Sequence, residues 1–124
     1  MKKQINTEKL GDRFDMKIFD MHCDIGTSLY DRYLLNEKDV FKKYHLDDLI
    51  KGDVKGVCAV CYFRGTEDWD FMQKLITNCN EEINKFKDYC HVVKTKEDIK
   101  EDDKILTFIA VEGMCGVDSD VEKN

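Results

Sequence analysis

The sequence lacks several features that would place it in a specialised class of protein. It has no proline in 124 residues, although average usage is about 5%. No apolar run approaches the ~18–20 residues needed to cross a bilayer, and no apolar signal segment follows the start. Its 20 basic and 26 acidic residues give a net charge of −6, without a basic stripe. We therefore expect a cytoplasmic protein that binds neither membrane nor nucleic acid.

Two common sequence signatures of catalysis are also missing. Gly113 and Gly116 fit neither the GxGxxG nor the GxxxxGK spacing of phosphate-binding loops. No G-x-S-x-G segment exists for a hydrolase nucleophile. The chemistry, if any, must come from other residues.

The six cysteines predict reduced thiols, because no secretory signal accompanies them. Cys58-x-x-Cys61 looks like a zinc or redox motif. Residues three apart in a strand point to opposite faces, however, and no second such pair completes a zinc site. We predict that Cys58, Cys61, Cys79 and Cys90 pack in the core, and that only Cys115 is a candidate for reactivity.

Apolar strands alternate with helices along the chain. Residues 16–26, 56–63 and 105–111 have the composition of strands, and a short helix is predicted at 45–52. A helix of about twenty residues is predicted by an apolar stripe at helical spacing, with Thr66 or Asp68 as its N-cap: Trp69, Met72, Ile76, Cys79, Ile83, Phe86 and Cys90. This order indicates a parallel α/β sheet with three strands, either a small doubly wound domain or part of a (β/α)8 barrel.

A candidate metal site lies in the first predicted strand. His22 and Asp24 are two residues apart and Asp20 precedes them by two, so a regular strand puts all three on one face. Imidazole nitrogen and carboxylate oxygen both suit zinc. The alternative is structural: Asp24 caps the following segment, and His22 is an ordinary strand residue.

Glu112 strengthens the metal interpretation. It follows the largely apolar run of residues 105–111, at the carboxyl end of the third predicted strand. Ligands of parallel α/β sheets gather at such ends, so His22, Asp24 and Glu112 are expected to converge. The alternative is that Glu112 caps a helix or pairs with a lysine. His45 and His91 are predicted to be surface residues rather than ligands.

Three motifs resemble the membrane (renal) dipeptidase family of zinc peptidases. Residues 20–24, DMHCD, resemble the family's D-x-H-x-D opening strand. Residues 45–63 resemble its second strand region, and residues 105–113, ILTFIAVEG, resemble the third strand with its E-G pair. The resemblance covers about residues 16–121.

The resemblance implies a (β/α)8 barrel in which two zinc ions activate a water molecule to hydrolyse dipeptides. His22 and Asp24 match ligands of the first metal, Glu112 matches the glutamate that bridges both metals, and Asp20 matches a residue that orients the ligands. Tyr62, Phe63 and Arg64 follow strand two, and we assign them no role. The family's remaining histidines, arginine and aspartate come from later strands.

We therefore expect residues 1–15 to be an extension and residues 16–124 to be the first three β/α units of a barrel, a truncated dipeptidase. Such a chain would be inactive alone, would bind at most one zinc weakly, and would self-associate or aggregate through exposed strand edges. Two alternatives remain: a standalone, non-catalytic α/β binding module, and another metal-dependent barrel hydrolase. Coding sequence beyond Asn124 with strand-like runs and histidines would favour the truncated dipeptidase.

Overall fold

A parallel sheet with helices packed on one side forms the architecture of the described residues, 17–117, in a computed structural model. The elements follow in chain order: β1 (Ile18–Cys23), α1 (Ile25–Leu34), a π-helical turn (Lys42–Leu46), α2 (Asp47–Lys51), β2 (Val54–Tyr62), α3 (Trp69–Asn84), β3 (Cys90–Val92), a 3-10 turn (Lys96–Asp98) and β4 (Ile105–Glu112).

The strand order in the sheet is β1-β2-β4-β3, and every neighbouring pair is parallel. Strands β2 and β4 pair without interruption from Gly56–Leu106 to Tyr62–Glu112. The expected parallel α/β sheet is thus confirmed at the level of fold class. Its membership of a (β/α)8 barrel stays a prediction.

The structure corrects the expected number of strands from three to four. The short strand β3 pairs with the first half of β4, so one edge of that strand is partly covered. Helix α3, which was predicted from the apolar stripe, is also shorter than predicted and ends at Asn84. The apolar spacing continues past that point because Phe86, in the following turn, and Cys90, in β3, still pack on the same core.

The core lies between the sheet and its helices. Val57, Ala59 and Cys61 of β2 point into it, with Leu29 of α1 and Cys79 of α3 among their buried neighbours. Cys61 and Cys79 are both fully buried in this core. The predicted core positions of Cys61, Cys79 and Cys90 are confirmed. The prediction for Cys58 is wrong, because this residue is only half-buried and lies outside the core cluster.

The predicted extension at residues 1–15 falls outside the described residues, as do positions 118–124 of the predicted β/α units. Within 17–117, none of the helices has both the length and the apolar character needed to cross a membrane.

Candidate metal centre

The first two candidate ligands lie where β1 passes into α1. His22 is in β1, and Asp24 is the residue at the N-cap of α1. Between the registered pairs Asp20–Val57 and Cys23–Ala59, β1 contains one residue more than β2. This irregularity breaks the two-residue alternation of side chains, and such features are common beside functional sites.

Glu112 approaches from β4, which is separated from β1 by β2. Its Oε2 lies 3.0 Å from His22 Nε2, and Asp24 Oδ1 lies 3.2 Å from the same nitrogen. One ligand atom from each of the three residues lies within 4.8 Å of the others. The fold therefore brings together residues that are 90 positions apart in the sequence. We call His22, Asp24 and Glu112 the ligand cluster.

The ligand cluster is open to solvent. The exposed fractions of the side chains are 56% for His22, 61% for Asp24 and 49% for Glu112. An ion or a small molecule can reach all three without rearrangement of the fold.

The donor set fits a divalent metal ion. An imidazole nitrogen carries at most one proton, so His22 Nε2 cannot make a full hydrogen bond to both carboxylates. Two ligand atoms that each lie ~2.1 Å from a tetrahedral zinc stand about 3.4 Å apart, close to the two spacings at Nε2. One imidazole and two carboxylates also leave room for water, as in catalytic zinc sites.

The structural alternatives for the two carboxylates do not match the contacts. An Asp at an N-cap ordinarily accepts a hydrogen bond from the helix backbone, but the Asp24 side chain makes no capping bond. Glu112 lies against His22 and neither caps a helix nor pairs with a lysine in the described residues.

Asp20 has a different position from the one predicted. It is registered with Val57, which points into the helix-covered core, so it does not share a face with His22. The prediction assumed a regular strand, and the extra residue in β1 removes that regularity. Asp20 Oδ1 nevertheless accepts a hydrogen bond from the His22 backbone N–H at 3.1 Å. This hydrogen bond fixes the backbone at His22. The role of Asp20 in orienting the metal ligands stays a prediction.

Two loops flank the ligand cluster at the carboxyl ends of β2 and β4. The Phe63 N–H donates to the Glu112 carbonyl at 2.9 Å. Gly113 follows with φ +90°, and a Cβ there would lie 2.8 Å from the Phe63 carbonyl oxygen. Only glycine fits both requirements, which explains the Glu-Gly pair.

The loop after β2 wraps around a single carboxylate. Glu67 accepts hydrogen bonds from the backbone N–H groups of Arg64, Gly65 and Thr66. Backbone hydrogen bonds, foremost that of Arg64 and then those of Glu67 itself and Gly65, lower the pKa of Glu67 to about 2. Cys115 is exposed, as its candidacy for reactivity requires, and its thiol lies 3.4 Å from the Glu67 carbonyl oxygen.

The other two histidines are half-buried, which corrects the expected full exposure of their side chains. His45 is half-buried, and its Nε2 lies 2.9 Å from Ser28 Oγ. Burial and the charge of Arg32 lower the pKa of His45. His91 is half-buried, and its Nε2 has no hydrogen-bond partner among residues 17–117. Neither residue joins the ligand cluster.

Sequence reasoning missed two residues near the cluster, Gly26 and Thr27. Thr27 hydrogen bonds to the backbone of Tyr62 in both directions, and Gly26 lies against Val60 and Cys61. Neither residue type signals such a role, because the partners are about 35 positions away.

Comparisons with known proteins do not assign the chain to a family. No protein-family model matches the chain, and neither a curated protein nor a solved structure matches it significantly.

Proposed function

We propose that this chain carries part of the metal centre of a dipeptidase-like metallohydrolase, with His22, Asp24 and Glu112 as ligands of a zinc ion. The observation that carries the proposal is the placement of two carboxylates around one imidazole nitrogen, at 3.2 and 3.0 Å. The choice of dipeptides as substrates rests on the sequence resemblance alone.

Each residue has a defined part in this proposal. His22 and Asp24 would hold the metal from the β1 side, and Glu112 would hold it from the β4 side. Asp20 fixes the backbone at His22. A bound zinc ion would lower the pKa of water and polarise a carbonyl group. The exposed position of the cluster leaves space for a substrate on the open side.

Zinc binding by matched variants tests the metal site. We expect the 124-residue chain to bind one zinc ion, measured by competition with a chromophoric chelator. Asp24→Asn and Glu112→Gln should each weaken binding at least tenfold, because each removes one anionic ligand. Asp70→Asn is the control, since Asp70 is an exposed carboxylate on α3 paired with Lys74 and its loss changes the net charge equally.

The outcomes separate specific from general electrostatic binding. Equal weakening in Asp70→Asn and Asp24→Asn would show that zinc responds only to charge, and would contradict the site. Absence of zinc binding by the wild-type chain would contradict it outright.

A second measurement addresses the substrate class. We expect a dipeptide with a D-configured C-terminal residue to shift the amide resonances of Tyr62 and Glu112 only when zinc is present, without being hydrolysed. Shifts that are equal with and without zinc would favour a binding module over a metallohydrolase. Rapid turnover by this chain would contradict the expectation that it is inactive alone.

A further inference from the structure

The geometry of the ligand cluster depends on the distance between the end of β1, which leads into α1, and the end of β2. The side chain of Thr27, in α1, connects these two ends. The last registered pair of β1 and β2 is Cys23–Ala59. Beyond it β2 continues to Tyr62, opposite Glu112. Over this last stretch, the Thr27 hydroxyl provides the hydrogen bonds between the α1 side and β2.

Thr27 makes both bonds with one oxygen. Its Oγ1 donates to the Tyr62 carbonyl at 3.1 Å and accepts from the Tyr62 N–H at 2.7 Å. The side chain is only 6% exposed, so both backbone groups would lose their partner in a protected environment if the hydroxyl were removed.

The close approach of α1 to β2 has a second requirement at Gly26. A Cβ at this position would lie 2.5 Å from the Cys61 thiol and 2.9 Å from the Val60 carbonyl oxygen. The absent side chain at Gly26 thus lets α1 come near enough for the hydroxyl of Thr27 to reach Tyr62.

These contacts connect Asp24 to Glu112 through the backbone of Tyr62 and Phe63. Asp24 and Thr27 share the first turn of α1. Thr27 holds Tyr62, and the next N–H along β2, that of Phe63, holds the Glu112 carbonyl at 2.9 Å. Glu112 and Asp24 then meet at His22.

We propose that Thr27 is a positioning residue for the metal centre: its hydroxyl, bound to both backbone groups of Tyr62, sets the separation between the Asp24 and Glu112 carboxylates. This inference rests on the proposed metal site. It adds a residue that touches neither metal nor substrate and that acts through the backbone.

The test compares Thr27→Val, which keeps the shape but removes the hydroxyl, with Thr27→Ser, which keeps the hydroxyl. We expect Thr27→Val to weaken zinc binding about tenfold or more, as is typical of groups that support metal ligands. The visible absorption of bound Co²⁺, which reports ligand geometry, should change as well. Thr27→Ser should restore both the affinity and the spectrum.

Thr107→Val is the matched control. Thr107 is also a buried threonine in this sheet, with its hydroxyl 3.3 Å from the Ile105 carbonyl oxygen, near the other end of β4. A merely structural effect of removing a buried hydroxyl should appear in both valine variants as lost stability, while a change in the Co²⁺ spectrum should appear only in Thr27→Val.

The results distinguish this inference from the proposed function. If the wild-type chain binds zinc and Thr27→Val binds it within twofold with the same Co²⁺ spectrum, the role of Thr27 is overturned and the metal site stands. If the wild-type chain binds neither ion, the proposed function fails and the role of Thr27 in metal binding fails with it.

Discussion

The two faces of the sheet differ sharply in how they are covered. On the helix side, Val57, Ala59 and Cys61 are fully buried. On the other side, Phe19 lies over Gly56 and 5.6 Å from the Phe108 ring, yet is 41% exposed. The helix-covered face therefore contains the main hydrophobic core. The ligand cluster lies at the carboxyl ends of β1 and β4, two strands of this sheet.

The largest effect should follow from a cavity on the helix-covered face. Leu29 of α1 is fully buried, whereas Leu34 of the same helix is 56% exposed. We expect Leu29→Ala to lower the free energy of unfolding by about 2–5 kcal/mol and Leu34→Ala by less than ~0.5 kcal/mol. Urea denaturation measures both. Similar losses would mean that the covered face does not dominate stability.

A somewhat smaller effect is expected where α1 meets β2. Gly26→Ala places a methyl group against the Cys61 thiol and the Val60 carbonyl. We expect a loss of about 1–3 kcal/mol, since overpacking displaces backbone. Gly52→Ala is the control, because its Cβ would meet no atom closer than 3.3 Å. If both variants lose the same free energy of unfolding in urea denaturation, the contact of α1 with β2 at Gly26 is not tight enough to exclude a methyl group.

The covered face was the more predictable of the two. Helical spacing identified α3, and of the two predicted N-caps, Thr66 and Asp68, Asp68 accepts a hydrogen bond from the Phe71 N–H. Apolar runs identified β2 and β4 because strands buried by helices carry few polar residues. The meeting of the ligand cluster was also predictable, since parallel strands bring their carboxyl ends to one edge.

Other features have no local signal. Strand β3 is only three residues long, too short to show a period. The extra residue in β1 depends on its pairing with β2, so Asp20 was placed on the wrong face. The bond between Thr27 and Tyr62 joins residues 35 positions apart. Each of these depends on tertiary contacts that a pattern of residue types does not encode.

The open side should influence association more than stability. Met21 lies in the edge strand β1 and is 73% exposed. We expect Met21→Lys to reduce concentration-dependent light scattering, because a charge on an edge strand opposes pairing with other chains. The free energy of unfolding should change by less than ~0.5 kcal/mol. Unchanged scattering would show that β1 is not the surface through which the chain associates.

The smallest effect on stability is expected in the loop that follows the carboxyl end of β2. Hydrogen bonds from the backbone, foremost that of Arg64 and also that of Gly65, lower the pKa of Glu67 to about 2, below the ~4.3 of an unfolded glutamate. A carboxylate with a depressed folded pKa stabilises the protein fully above the unfolded pKa, and this contribution is lost as the pH falls towards 2. The stability difference between wild type and Glu67→Gln should therefore shrink between pH 5 and pH 2, measured by urea denaturation at each pH. A difference that stays constant over this range, or an NMR titration of the Glu67 carboxylate with a midpoint near 4, would show that the backbone of this loop does not hold the charge.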